Sequence, residues 1–148
     1  MNMSVLSDFV ANYNKDKKLY IVAAGCGWNL AQLISIPGAS KVIDSIRLLY
    51  SKQSWLSLTH GLYPIDDEFK YVSKKGLDYI VQTFDTRLDT INIAITASLP
   101  SNYEKRSKNQ VFLNINGKTD HIIFPNGFDR NQCDEYIMER IIYTLPYN

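Results

Sequence analysis

The sequence predicts an α/β protein with three layers, in which helices cover both faces of a mixed, mostly parallel five-stranded sheet. Strand-like apolar runs alternate with amphipathic helical segments, which is the pattern that a parallel sheet covered by helices requires. Late in the chain, two strand-like runs flank Asn116-Gly117. This dipeptide is a strong two-residue hairpin signal, because both central positions of that turn need a positive φ. The hairpin makes the sheet mixed.

The first half of the chain supplies two helices, two strands and a short helical segment. In chain order they are predicted at residues 4–13, 19–24, 28–35, 41–50 and 52–58. The helices repeat apolar residues at a spacing near 3.6, and the first strand, LYIVAA, is continuously apolar. The helical side chains expected to face inward are Val5, Leu6, Phe9, Val10, Tyr13, Leu30, Leu33 and Ile34.

The second half adds a longer helix, three strands and a last helix. Ser73 is a good N-cap, because its hydroxyl can accept a hydrogen bond from a free amide of the first helical turn. The helix that follows keeps its apolar period as far as Leu88. Asp129, with Gln132 three residues on, predicts a capping box for the last helix. The three strands are predicted at 90–97, 110–116 and 119–124, with a polar loop at 100–110.

Composition narrows the classes of function. The chain has 148 residues, of which 45% are hydrophobic and 21% charged, and its net charge is +1. These values predict one globular domain spanning residues 1–148. A charge so close to zero offers no overall field for nucleic acid or an anionic membrane, so neither is expected as a partner. No apolar run approaches the roughly 20 residues that span a bilayer.

The cysteines and histidines predict neither a disulfide nor a metal site. Cys26 and Cys133 are far apart in the sequence, which favours reduced thiols in an intracellular compartment. His60 and His121 have no His or Cys partner at metal-ligand spacing. Gly25-Cys26-Gly27 lacks the third glycine and the acidic residue of a dinucleotide fingerprint. We therefore predict no metal and no cofactor.

Three short motifs, AAGCGWNL, PGASKV and LLYSK, follow one another between residues 23 and 52. They resemble the opening of the nicotinamide-nucleotide amidase family, which is the C-terminal domain of the CinA proteins. That family has a strand, then Ala-Glu-Ser-Cys-Thr-Gly-Gly-Leu, a helix ending in Pro-Gly-Ala-Ser and a strand ending in Tyr-Ser-Asn. FPNGFDR, which ends at Arg130, resembles its Phe-x-Gly-Asp-Arg motif. The resemblance implies the same fold over essentially the whole chain.

The resemblance also implies an activity, and the sequence departs from the residues that would carry it. Family members are understood to deamidate nicotinamide mononucleotide with a serine nucleophile that a lysine assists, without a metal; such a hydroxyl needs a base within reach. Gly25 stands at the serine's place and Trp55 at the lysine's place. The family's Gly-rich loop after the third strand has become ITASLPS, in which Thr96 and Pro100 are loose matches. Other replaced positions are Ala24, Gly27, Trp28 and Asn29.

Because the serine, the lysine and the Gly-rich loop are changed together, we predict a catalytically degenerate member of this family. It would act by binding proteins, either as an accessory subunit of an assembly or through self-association. Bulky indoles at Trp28 and Trp55 would fill the former pocket or form a face for a partner, and filling is the prediction. The vestigial pocket positions are Gly25, Cys26, Gly27, Tyr50, Thr96 and Arg130.

Two alternatives remain open. The first is an amidohydrolase with a relocated site, in which Cys26 is the nucleophile and Lys52 or Tyr50 assists it. This requires a lowered thiol pKa at Cys26, from the helix N-terminus and a nearby lysine. A buried structural cysteine and a solvated lysine are the commoner roles of these residue types. The second alternative is a domain that binds a nicotinamide nucleotide without turnover.

Overall fold

Five strands form one sheet in the order β2-β1-β3-β4-β5 in the computed structural model, which describes residues 1–14, 16–101 and 108–145. β1 pairs in parallel with β2 and β3, whereas β4 pairs antiparallel with β3 and with β5. Four strands therefore run in one direction and β4 runs against them, which confirms a mixed, mostly parallel sheet. The strands are β1 (Lys18–Ala24), β2 (Ile43–Leu49), β3 (Thr90–Ser98), β4 (Gln110–Ile115) and β5 (Lys118–Ile123).

Helices cover both faces of this sheet, which confirms the three-layer α/β/α architecture. Because successive strand residues point to opposite faces, Ile21 of β1 packs in the core beneath α1, α2 and α5. Its neighbour Val22 packs in the second core, beneath α3 and α4. The helices are α1 (Met3–Asn12), α2 (Trp28–Ile34), α3 (Lys52–Thr59), α4 (Lys74–Gln82) and α5 (Arg130–Thr144).

The predicted caps and the hairpin turn are confirmed. The hydroxyl of Ser73 accepts a hydrogen bond from the amide of Gly76 at 2.9 Å and so begins α4. Asp129 and Gln132 form the capping box of α5, each side chain bonded to the other's backbone amide at 2.8 Å. Asn116 and Gly117 have φ values of +50° and +92°, as the hairpin turn requires.

Three side chains predicted to face inward are exposed. Val5 is 37% exposed and Ile34 57%, because each lies roughly 100° around its helix from the neighbouring core residue, at the edge of the apolar face. Leu88 is 77% exposed. α4 ends at Gln82 and a 3-10 turn at Thr83–Thr86 follows, so Leu88 lies beyond the helical period.

Most predicted segments have bounds within one residue of the observed ones, and the second strand differs by more. The second strand begins at Ile43 rather than at residue 41, because a 3-10 turn occupies Ala39–Lys41. Most of the predicted polar loop at 100–110 lies outside the described residues, which omit 102–107. Within the described ranges, no helix is both long and apolar enough to cross a membrane.

Candidate binding site

A cleft of about 650 Å³ lies where the carboxyl ends of β1 and β2 meet the first turns of α2 and α5. Ligands of open α/β sheets commonly bind at this end of the strands. Five of the six predicted pocket positions line the cleft, and Thr96 does not. The lining residues are Gly25, Cys26, Gly27, Trp28, Ala31, Leu48, Leu49, Tyr50, Arg130, Asn131 and Asp134.

Gly25, which stands at the place of the family's serine, has no room for a side chain. Its φ of +83° lies in the left-handed region that favours glycine. A Cβ on this backbone would lie 1.9 Å from the carbonyl oxygen of Ala97, the next-to-last residue of β3. The backbone that follows β1 is therefore packed directly against the backbone of β3 at this point. A serine could occupy position 25 only if the backbone moved.

The N-terminus of α2 is capped from another helix. The buried carboxylate of Asp134, on α5, accepts hydrogen bonds from the amides of Gly27 and Trp28, each at 3.2 Å. It also accepts bonds from the amide and the side-chain amide of Asn29, at 3.0 and 2.7 Å. Amides at a helix N-terminus would otherwise bind an anion or stabilise an oxyanion. In this protein an internal carboxylate already takes these three backbone donors.

Cys26 has the environment of a structural thiol. The residue is partly buried and packs against the core beneath α1, α2 and α5. Burial raises the pKa of the Cys26 thiol far above its ordinary range, and the nearby Asp134 carboxylate raises it further. The guanidinium of Arg130 opposes this shift only in part. Because the thiolate is the nucleophilic form, the direction of this pKa shift works against nucleophilic catalysis.

The two tryptophans lie on opposite sides of the sheet and do not fill the cleft together. Trp28 begins α2 at the cleft and is 64% exposed. Trp55 is buried in the core beneath α3 and α4, where its ring centroid lies 5.1 Å from that of Tyr71 and 6.2 Å from that of Phe69. The prediction of a pocket filled by both indoles is therefore wrong. α3 directs Trp55 into the second core, whereas the N-terminus of α2 leaves Trp28 in solvent.

The remaining predicted site residues have separate environments. Thr96 is fully buried, and its hydroxyl donates a hydrogen bond to the carbonyl oxygen of Tyr71 at 2.7 Å. Lys52 is exposed at the start of α3 and is not among the residues that line the cleft. Tyr50 lines the cleft with a fully exposed side chain. Arg130 also lines it, and its guanidinium donates to the carbonyl oxygen of Pro100 at 3.2 Å.

Asp134 is the site residue that the sequence reasoning missed. It lies between the core residues Cys133 and Ile137 on the buried side of α5. An acidic residue directly after Cys133, beside the apolar stripe of an amphipathic helix, was the available signal, because a buried carboxylate needs hydrogen-bond donors. The sequence could not say that those donors come from α2, more than 100 positions away.

Comparisons with known proteins give a likeness of fold. No protein-family model matches the chain, and no curated protein matches it in sequence. A competence or damage-inducible protein from Enterobacter asburiae superposes with a TM-score of 0.69 at 15% identity, covering 97% of this chain and 96% of that one. A CinA superfamily protein from Enterobacter cloacae gives 0.68 at 17%, covering 97% and 90%.

A third solved structure agrees. A competence/damage-inducible protein from Agrobacterium tumefaciens has a TM-score of 0.66 at 15% identity, covering 95% of this chain and 88% of that protein. The matches extend over almost the full length of both partners, so they concern the whole architecture rather than a shared βαβ unit. The chain therefore has the fold of the CinA-superfamily proteins.

Proposed function

We propose that this chain is a catalytically degenerate CinA-like domain that acts by binding another protein through the cleft at the ends of β1 and β2. The observation that carries the proposal is the contact at Gly25. The position that the resemblance gives to a nucleophilic serine has no side chain and no space for one, because a Cβ would lie 1.9 Å from the carbonyl oxygen of Ala97.

The environment of Cys26 argues against an amidohydrolase with a relocated site. A nucleophilic thiol needs a lowered pKa and a base in hydrogen-bond reach. Burial and the Asp134 carboxylate instead raise the pKa of Cys26. Of the two residues that would assist it, Lys52 lies outside the cleft lining, and Tyr50 lines the cleft with a fully exposed side chain. The three backbone amides that could stabilise an oxyanion are bonded to Asp134.

The exposed side chains at the cleft favour protein binding. Trp28, Leu48 and Tyr50 are 64%, 48% and 100% exposed, and all three line the cleft. Large apolar side chains that are exposed side by side usually belong to an interaction surface, whereas single exposed apolar side chains are ordinary. Trp and Tyr are also the residue types that most often dominate the binding energy of protein interfaces.

The test is ammonia release from nicotinamide mononucleotide at high protein concentration. We expect no release above that of a Cys26→Ala control, because the chain lacks a side-chain nucleophile at position 25 and an ionised thiol at position 26. In parallel, a thiol reagent at about pH 8 should label Cys26 and Cys133 slowly in the folded protein and rapidly after unfolding. Turnover that one substitution at Cys26 abolishes would contradict the proposal.

A second candidate, nucleotide binding without turnover, is favoured by the size of the cleft. About 650 Å³ lies in the range of small-molecule sites. Calorimetry with nicotinamide mononucleotide separates the two candidates. Heat of binding without ammonia release, lost when Tyr50 is changed to Ala, would favour the nucleotide binder, whereas no heat would favour the protein-binding domain.

A further inference from the structure

The acidic and basic side chains around the cleft differ in how many of their hydrogen-bonding positions are occupied. Asp134 accepts hydrogen bonds from three backbone amides of the Gly27–Asn29 segment and from the Asn29 side chain. Asp129 caps α5, and its carboxylate accepts a bond from the amide of Gln132 at 2.8 Å. Both carboxylates therefore already accept hydrogen bonds from amides at the N-termini of helices, Asp134 at α2 and Asp129 at α5.

Among the residues that the structure describes, the cations near the cleft have fewer hydrogen-bond partners than the Asp134 carboxylate. Arg130 is exposed on the cleft and donates one N–H of its guanidinium to a neutral backbone carbonyl, that of Pro100. Lys52 is exposed two residues after Tyr50. A guanidinium with donors to spare beside exposed apolar groups is complementary to a carboxylate that is carried next to an apolar side chain.

The strand that leads into the cleft is an edge strand. β2 pairs only with β1 in the described sheet, so the other side of its backbone has no ladder partner there. β2 ends at Leu49, between the cleft residues Leu48 and Tyr50. An extended peptide can pair with such an edge and present its side chains to the neighbouring pocket.

We propose that the cleft and the adjoining end of β2 bind an extended peptide segment of another protein, in which an acidic residue lies beside a large apolar one. The peptide backbone pairs with the outer edge of β2, the apolar side chain contacts Trp28 and Tyr50, and the carboxylate binds Arg130. This inference rests on the proposed protein-binding function and specifies the chemistry of the partner.

Selection of peptides from a random phage-displayed library against the immobilised full chain tests the proposal. We expect enriched peptides that combine Asp or Glu with Leu, Phe or Trp. Their synthetic versions should change the fluorescence of Trp28, which is 64% exposed, while Trp55, at 3%, stays shielded. A Trp28→Phe variant should lose this fluorescence change, which would show that Trp28 is the residue that reports binding.

Matched variants locate the binding site. Arg130→Glu should weaken the selected peptides about tenfold or more, since it places a like charge against the carboxylate. Tyr50→Ala should weaken them several-fold, and its fully exposed side chain makes a folding defect a poor explanation. Lys118→Glu makes the same charge change at exposed Lys118, which begins β5 at the opposite edge of the sheet, and should leave affinity within about twofold. Circular dichroism of each variant verifies the fold.

Three results would overturn the inference: selected peptides without acidic residues, peptides that bind Arg130→Glu as well as the wild type, or no cleft-dependent peptides at all. Sedimentation of the chain alone tests whether a second copy of the chain occupies the cleft. A dimer that Tyr50→Ala or Arg130→Glu dissociates would assign the cleft to a second copy and contradict the proposal. The ammonia assay is independent of these results, so failure of the peptide inference and failure of the proposed function are distinguishable.

Discussion

At the scale of single residues, Gly25 links the sequence to the fold most directly. Its φ of +83° and its approach to the Ala97 carbonyl are two separate reasons why no side chain fits. A left-handed conformation alone costs an ordinary residue roughly 1–2 kcal/mol. The steric contact adds to this cost, because the opposing atom belongs to the backbone of β3 and cannot rotate away.

Gly25→Ala should therefore lower the free energy of unfolding by about 3 kcal/mol or more, with both the left-handed conformation and overpacking contributing. Gly61→Ala is the matched control, because Gly61 has a φ of +68° and a Cβ there would meet no atom within 4 Å. It should lose only about 1 kcal/mol. Urea unfolding followed by circular dichroism measures both. Equal losses of unfolding free energy in the two variants would show that the contact with Ala97 does not add to the cost of a side chain at position 25.

At the scale of elements, α2 and α5 are joined by one carboxylate. α2 has seven residues and its N-cap, Gly27, has no side chain with which to satisfy the first amides. Asp134 on α5 supplies the cap instead. A helix this short is marginal by itself, so its position depends on packing against the core and on this bond to α5. The cleft, which both helices line, depends on the same bond.

Asp134→Asn should lower the free energy of unfolding by roughly 2–4 kcal/mol, because a neutral amide of the same shape keeps one acceptor oxygen and loses the charge. Glu139→Gln makes the same chemical change on α5 at a half-buried side chain outside the cleft lining and should change stability by less than about 0.5 kcal/mol. Denaturant unfolding measures both variants. Equal stability of Asp134→Asn and the wild type would contradict the capping role.

At the scale of the whole molecule, two cores on opposite faces of one sheet share the stability of the fold. The core beneath α1, α2 and α5 includes Tyr13, which is fully buried where α1 passes into β1. Its hydroxyl donates to the carbonyl oxygen of Lys17 at 2.7 Å. Burial, with the negative charge of Asp16 as a smaller cause, raises the pKa of Tyr13 to about 12.

This shift predicts a loss of stability in alkali. An unfolded tyrosine releases its proton near pH 10, whereas folded Tyr13 keeps it until about pH 12. Because the unfolded state then binds fewer protons, the contribution of Tyr13 is complete below pH 10 and is lost as the pH rises towards 12. Tyr13→Phe has no such proton. The stability difference between wild type and Tyr13→Phe should therefore shrink between about pH 10 and pH 12, and parallel urea-midpoint curves over that range would refute it.

The local features of the fold could be predicted from the sequence. Ser73, Asp129 and Asn116-Gly117 form their caps and turn with partners at most three residues away, so their geometry follows from the chain itself. The buried strand β1 likewise follows from its continuous apolar run. The exposed Leu88 shows where local periodicity fails, because a 3-10 turn ended the helix before it.

The α/β class, the caps and the hairpin follow from the amino-acid sequence alone, as does the position of the Gly25-Cys26-Gly27 break at the end of β1. Three features become visible only in the folded chain: the backbone of Ala97 lies against Gly25, Asp134 caps α2, and the two tryptophans lie in different environments. The physical reason is separation along the chain. Periodicity and capping act over a few residues, whereas these contacts join residues 72 to 107 positions apart or depend on which core a helix covers.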